Sequence, residues 1–195
     1  MPNISQFKQA LIGGGARPSL FFCQVSFPSL VANGSIITQS AAFLVKSTSL
    51  PSTKINEVKV PFQGREIKLA GQKTFEEPWK VTFYNDTDFK IRNGIESWME
   101  FIQQAGSSVG LAIAEQYQVD MQVYQLDRTG VALKQYNFYD AWPSEVSEIE
   151  LNQEAETEIE SFDCNFTYNY FDTPEMTAQP AIPAAVLSFI TTLAL

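Results

Sequence analysis

Seven glutamates between Glu145 and Glu160 form the densest group of side chains in the sequence that could do acid–base chemistry. Two carboxylates at a suitable separation can act as acid and base in the hydrolysis of a glycosidic bond. Runs of like charge are more commonly solvated surfaces. The run is therefore a candidate for a charged surface before it is a candidate for an active site.

Other reactive groups are scarce. The chain contains no histidine, which removes Ser/His/Asp and Cys/His nucleophiles and nearly every common zinc or haem site. Cys23 and Cys164 each lie in an alternating apolar run, as buried free thiols do. EF-hand spacing is missing, and the glycines at 13–15 neither follow a strand nor precede the Lys-Ser/Thr pair of a phosphate-binding loop. The sequence indicates no enzyme, no metal and no cofactor.

Length and composition are those of one folded domain. The 195 residues are 45% hydrophobic and 13% aromatic, which excludes disordered, collagen-like and coiled-coil chains. The first residues lack the pattern of a secretory signal, so we expect synthesis in the cytosol. Residues 176–195 are uncharged, and the last twelve would span about 18 Å as a helix. That is too short for a hydrocarbon core of about 30 Å, so we expect this segment to pack on protein and not to enter a membrane.

Charge changes sign along the chain. Residues 1–80 hold nine basic and four acidic side chains (+5), 81–134 hold four and seven (−3), and 135–195 hold none and eleven (−11). This gradient favours two surfaces of opposite sign that a head-to-tail assembly could bring together. Folding that interleaves the segments is the alternative.

Short alternating runs between turn residues dominate the sequence and predict a mainly β (α+β) fold, a sandwich or barrel of two antiparallel sheets. The predicted strands are 20–27, which is expected to pair with 41–46, followed by 65–69, 79–83, a hairpin from 116 to 139 that turns at 127–130, then 148–151 and 162–170. In strand 65–69 the side chains of Ile67 and Leu69 are predicted to point inward. In strand 79–83 those of Trp79, Val81 and Phe83 are predicted to do so. In the hairpin a change of parity between Leu133 and Tyr136 predicts a bulge. Trp142-Pro143 is expected to break the chain, and 47–64 to form a long ordered loop.

Two helices are predicted. Ile4, Phe7 and Leu11 share one face of a short N-terminal helix that Asn3 or Ser5 can cap. A longer one, flanking the sheets, can be capped by Asp86 or Asp88 and ends at Gly106, and its apolar positions are Ile91, Ile95, Trp98, Met99 and Ile102. Gly94 weakens this helix by roughly 1 kcal/mol relative to alanine, a loss that packing must offset.

Six blocks, in this order, resemble the tail tube proteins of contractile-tailed bacteriophages. They are 16–21 (ARPSLF), 47–51 (STSLP), 60–71 (VPFQGREIKLAG), 74–75 (TF), 79–86 (WKVTFYND) and 141–151 (AWPSEVSEIEL). The resemblance covers about residues 13–171 and rests on the order and spacing of the blocks together. The Gly/Ser/Ala-rich stretch 105–114 and the chain beyond Phe171 depart from the family pattern.

The resemblance implies a sandwich with a flanking helix in which the inner strands of six subunits join into one ring-wide barrel. Rings would stack into a tube that delivers double-stranded DNA, in contact with a tail sheath protein outside and with baseplate and tail terminator proteins at its ends. The protein would be a structural part of the virion, assembled in the host cytoplasm. Residues 1–172 would form the tube domain and 173–195 an apolar extension.

The polar face of the strands predicted to line the barrel holds the candidates for the channel wall. They are Gln24, Ser26, Gln116, Gln118, Asp120 and Gln122. None is basic, and DNA binding draws its affinity from Lys and Arg that neutralise phosphates. A neutral to acidic wall would let the duplex slide. The alternative is a solvent-facing strand of an ordinary sandwich.

Segment 47–64 is the candidate for the contact between rings. The basic partners would be Lys54, Lys59, Arg65 and Lys68; the acidic partners Glu145, Glu148, Glu150, Glu154, Glu156 and Glu158; and the apolar contacts Leu50, Ile55 and Val58. Each exposed ion pair contributes at most about 1 kcal/mol and weakens with salt. An ordinary charged loop is the alternative.

Two other functions stay open from the sequence. The first is a monomeric β-sandwich that binds a ligand such as carbohydrate through the aromatics Tyr168 and Tyr170. The second is a tube-like initiator protein of the baseplate.

Overall fold

A computed structural model describes residues 3–11, 15–107, 110–153 and 158–175. Its elements in chain order are α1 (Ile4–Ala10), β1 (Phe21–Gln24), α2 (Gly34–Leu44), β2 (Val45–Thr48), β3 (Lys54–Phe62), β4 (Arg65–Thr74), β5 (Trp79–Tyr84), α3 (Lys90–Ile102), β6 (Val119–Leu126), β7 (Ala132–Val146), β8 (Ser161–Thr167) and β9 (Tyr170–Asp172). This mainly β architecture with antiparallel sheets confirms the predicted fold class. Within the described ranges, no helix is long and apolar enough to span a bilayer.

Strand β7 joins the two halves of the main sheet. The seven-stranded sheet has the order β1-β6-β7-β8-β5-β2, and β9 also pairs with β7. The first half of β7 pairs with β6 and β9, and its second half pairs with β8. Asp140, at a φ of 57°, marks the change of partner. The predicted break at Trp142-Pro143 is wrong, because the ladder to β8 continues through Pro143 and accommodates it at a register shift.

The core lies between these two halves. Trp79 of β5 stacks on Phe138 of β7 with ring centroids 4.3 Å apart. Val81 and Phe83 are also fully buried, which confirms the inward face predicted for this strand. Cys23 and Cys164 are buried free thiols, as expected, and burial raises the pKa of each far above its usual range.

Helix α3 covers the core as predicted. Ile91, Ile95 and Trp98 are buried. A carboxylate oxygen of Asp86 accepts a hydrogen bond from the Lys90 amide at 2.9 Å, although the N-cap residue is Phe89, and the helix ends at Ile102 and not at the predicted Gly106. Gly94 lies where α3 meets α2, so that a Cβ atom there would be 3.0 Å from Ile37 Cδ1. Close approach of the two helices is therefore the packing that offsets the low helix propensity of Gly94.

Helix α2 was not predicted. Residues 41–44 end this helix and only 45–48 form β2, which pairs with β5, whereas β1 pairs with β6. The predicted strand 41–46 and its pairing with 20–27 are therefore wrong. Ile37 and Ala41 are buried at helical spacing, and the Thr38 hydroxyl accepts from the Phe27 amide at 3.1 Å while donating to the Gly34 carbonyl.

The predicted loop 47–64 contains a strand. β3 and β4 form a separate two-stranded sheet, joined by the two-residue turn Gln63-Gly64 with positive φ at both positions. Every residue of β3 is exposed. Ile67 and Leu69 are 46% and 53% exposed, so their predicted inward orientation is wrong. Among the described strands, β3 and β4 pair only with each other, and the side chains on both faces of the hairpin are largely exposed.

The hairpin of β6 and β7 has the predicted turn and bulge. Asp127 Oδ1 accepts from the amides of Thr129 and Val131 at 2.7 and 3.0 Å, and Leu133 is the extra residue between the paired positions 132 and 134. Further on, 148–151 is not a strand, and the last predicted strand divides into β8 and β9. The N-terminal helix has the predicted cap at Asn3.

Candidate channel face and assembly surfaces

A row of polar side chains crosses four strands on the face of the sheet that points away from the core. Gln24 of β1 lies opposite Gln122 of β6, which lies opposite Asn137 of β7 and then Asp172 of β9. Each strand alternates, so its next residues, such as Phe138, point into the core. The structure thus brings together two of the predicted channel residues, Gln24 and Gln122, and adds Asn137 and Asp172.

Hydrogen bonds connect the side chains of this face. Asn137 Nδ2 donates to Asp172 Oδ1 at 2.9 Å, and Gln135 Nε2 donates to Asn137 Oδ1 at 2.6 Å. Tyr124 Oη donates to Gln122 Oε1 at 2.5 Å. Tyr139 Oη donates to Asp172 Oδ2 at 3.1 Å, and this hydrogen bond to the carboxylate raises the pKa of Tyr139. The side chains of Gln135, Asn137 and Asp172 thus hold one another in place through hydrogen bonds.

The other predicted channel residues lie outside this row. Asp120 is exposed on the same face of β6, and its carboxylate accepts from the Asp140 amide at 3.3 Å. Gln116 is in a 3-10 turn before β6, Gln118 precedes the strand, and Ser26 follows the end of β1. The alternation of polar and apolar residues in the sequence therefore extends beyond the ends of the strands in the structure. Among the described residues on this face of β1, β6, β7 and β9 there are carboxylates but no Lys or Arg.

Two free strand edges flank the polar face. Within the described chain, β1 pairs only with β6, and β9 only with β7. Free edges present unpaired amides and carbonyls to another strand. The polar face can therefore be extended on both sides by copies of the same sheet.

The hairpin of β3 and β4 has one apolar and one charged face. The register places Val58 opposite Leu69 and Val60 opposite Ile67, with Phe62 beside them at the tip. These five side chains form what we call the apolar hairpin face, and their exposed fractions range from 40% to 59%. The opposite face holds Glu57, Lys59, Glu66 and Lys68.

Three of the four basic residues predicted to bind an acidic partner already have partners in the same subunit. Lys59 Nζ and Lys68 Nζ lie 3.4 and 3.1 Å from the two carboxylate oxygens of Glu57, and Lys54 Nζ lies 3.6 Å from Glu76. All are exposed, so each pair contributes little. Arg65 lies opposite Phe62 at the tip.

The acidic residues of the same prediction are on exposed chain near the end of β7. Glu145 accepts from Asn165 Nδ2 at 2.7 Å, and Glu148, Glu150 and Glu158 are exposed in irregular chain. Glu154 and Glu156 lie outside the described residues. Leu50 and Ile55, the other predicted apolar contacts, are 46% and 61% exposed. The described residues hold no cluster of three or more metal-ligating side chains.

The aromatic pair proposed for a ligand-binding module is not an exposed platform. Tyr168 is only 6% exposed and packs edge-on against Phe138. Tyr170 is half-exposed and stacks on Tyr139 with ring centroids 4.6 Å apart.

Solved structures with this fold come from contractile injection systems. The anti-feeding prophage cap, a tube-terminating cap, superimposes with a TM-score of 0.59 at 11% identity over 83% of this chain and 92% of its own. A chain of the sheath–tube complex of an extracellular contractile injection system gives 0.56 at 12% identity over 90% and 100%. The fold is thus one that such machines use.

Residues 16–174 match the model of the phage tail tube protein family, and the chain belongs to this family. It is 28% identical to the tail tube protein of Serratia phage KSP90, over 86% of this chain and 95% of the relative. It is 27% identical to tail tube protein gp19 of Enterobacteria phage T4, over 82% and 93%. The chain is therefore a structural tube component of a virion tail.

Proposed function

We propose that six copies of this chain close into a ring, and that stacked rings form the tube through which double-stranded DNA leaves the virion. The observation that carries the proposal is the polar face of β1, β6, β7 and β9 with a free strand edge on each side. Joining β1 of one subunit to β9 of the next extends the sheet, and closure into a barrel leaves no edge exposed.

The inner wall would be the row formed by Gln24, Gln122, Asn137 and Asp172. DNA binding gains its affinity from cations that neutralise phosphates, and this face offers amides and carboxylates instead. Because Gln135 Nε2 and Asn137 Nδ2 already donate to neighbouring side chains, these two amides have less capacity to donate to phosphate. Such a wall lets a polyanion pass without holding it.

Stacking of rings would depend on the hairpin, and mainly on its apolar face. Burial of a large apolar side chain contributes about 1.5–3 kcal/mol, so five half-exposed ones can contribute about 5 kcal/mol per hairpin. Ion pairs of Lys54, Lys59 and Lys68 would each add less than about 1 kcal/mol and would compete with the existing pairs to Glu57 and Glu76. Arg65 and the acidic residues of 145–158 would supplement the apolar contact.

The role is structural and not catalytic, and the tube has further partners. One structural neighbour is a chain of a sheath–tube complex and another is a tube-terminating cap, which supports contact of this tube with a sheath outside and with a terminator at one end. A baseplate would hold the other end. Assembly would take place in the host cytoplasm, with no membrane insertion by this chain.

Negative-stain electron microscopy of the purified full-length chain tests the proposal. We expect rings with sixfold symmetry, and tubes at high protein concentration. A species that stays monomeric at high concentration in size-exclusion chromatography would refute it.

A further inference from the structure

Helix α1 has an apolar face that no described residue of the subunit covers. Ile4, Phe7 and Leu11 are 73%, 66% and 44% exposed, and no residue of the helix is buried. Asn3 caps it, and Gln6 completes the capping box. A helix of seven residues is nevertheless too short to be stable alone in water. An amphipathic helix with a good cap and no covered face indicates a binding partner.

A groove of matching chemistry lies between the C-terminal end of α3 and the second half of β7. Its volume is about 500 Å³, whereas a cavity of about 150 Å³ already admits a benzene ring. Met99, Ile102, Trp142 and Pro143 line it with apolar surface, and the carboxylates of Glu96 and Glu100 lie beside them.

We propose that α1 of one subunit docks into the α3–β7 groove of a second copy of this chain. The inference rests on the proposed self-assembly and goes beyond it by naming the two surfaces that meet. Phe7 would fill the groove, with Ile4 and Leu11 on its apolar walls. Lys8, the only charged residue of α1, would lie near Glu96 and Glu100.

Charge distinguishes this groove from the other exposed apolar surface. Arg65, opposite Phe62, places a cation on the apolar hairpin face, so Lys8 would meet like charge there. In the groove it meets the carboxylate of Glu100 and that of Glu96, which also pairs with Arg92 Nε at 2.8 Å. Opposite charge across an interface fixes which surfaces pair.

The path of the chain favours a second copy as the occupant. Ten residues of the sequence, 11–20, separate α1 from β1, and β1 is a free edge of the sheet among the described strands. Ring closure brings the next subunit to that edge. Because α1 is only ten residues from that edge in the sequence, it stays within reach of that neighbour.

Crosslinking between two cysteine variants of the full-length chain tests the pairing. One chain carries Ser5→Cys beside the apolar face of α1, and a second chain of different mass carries Gln103→Cys in the groove. The native thiols are buried and react slowly. After co-assembly and addition of a short bismaleimide, we expect a heterodimer of the two chains.

Two matched controls decide the result. Asn93→Cys is on the same helix α3 about 15 Å from Gln103 and should give no heterodimer, and Val60→Cys tests the hairpin as an alternative partner. Lys8→Glu in the first chain should reduce the heterodimer with Gln103→Cys, and Glu100→Lys in the second chain should restore it.

The outcomes separate this inference from the proposed function. Rings or tubes that form without the Ser5–Gln103 link, or with the link at Val60 instead, overturn the α1 pairing and leave the tube intact. A chain that forms no rings overturns both.

Discussion

Replacing Phe62 with alanine should shorten the tubes without unfolding the subunit. Phe62 is at the tip of the hairpin and is 59% exposed, so the subunit itself gains little from it. Full burial of a phenylalanine contributes about 1.5–3 kcal/mol. Burial of the exposed part of Phe62 at a ring contact would therefore contribute about 1–2 kcal/mol.

The effect is multiplied in the assembly. Six copies at one ring-to-ring contact would lose about 6–12 kcal/mol together, and each 1.4 kcal/mol changes an equilibrium constant by about tenfold. We therefore expect short tubes or single rings. The matched control is Glu66→Ser, on the opposite face of the same hairpin, because it leaves the apolar hairpin face unchanged.

The assay is the distribution of tube lengths by negative-stain microscopy over a salt series, with thermal unfolding of the subunit in parallel. Apolar stacking should resist salt, since salt screens exposed charges and not apolar contact. Unchanged lengths for Phe62→Ala, together with disassembly of wild-type tubes at high salt, would show that charge and not apolar burial joins the rings.

Three further variants test the wall, the helix packing and the turn. The pair Gln122→Lys and Asn137→Lys should leave tubes intact but make them retain DNA at low salt and release it at high salt in a gel-shift assay; equal retention by wild type would contradict the wall. Gly94→Val should lower the free energy of unfolding by about 1–3 kcal/mol in a urea titration, because its Cβ would meet Ile37. Hydrogen bonds from Thr129 and Val131 lower the pKa of Asp127, so its contribution to stability is present at neutral pH and is lost as the pH falls through that lowered pKa. In measurements of the free energy of unfolding against pH, Asp127→Ala should reduce this loss of stability at acid pH. An unchanged loss would exclude the turn as its source.

The spacing of apolar residues predicted those helices and strands that have one buried and one exposed face. Trp79, Val81 and Phe83 alternate, and Ile91, Ile95 and Trp98 recur at helical spacing, because burial of one face imposes a period. The hairpin exposes both faces, so its β3 strand has no buried face to reveal it. The prediction of a strand over 41–46 was wrong for another reason. A short apolar run such as 41–44 is compatible with the end of a helix as well as with a strand.

Part of the polar row proposed for the channel wall could be predicted for the same physical reason. Gln122 alternates with buried Met121 and Val123, which identifies its face. Asn137 alternates with Tyr136 and Phe138 in the same way, and that signal was available. Its position beside Gln122 depends on the pairing of β6 with β7 after the bulge, which alternation alone does not give.

Strand β7 links the wall of the proposed channel to the core. Asn137 belongs to the polar row, and its neighbour Phe138 stacks on Trp79 at 4.3 Å in the centre of the core. A change in core volume at Phe138 must therefore shift the backbone that orients Asn137 and its hydrogen bond to Asp172. Loss of the aromatic stack would loosen the wall as well as the subunit, so the evenness of the channel depends on the packing behind it.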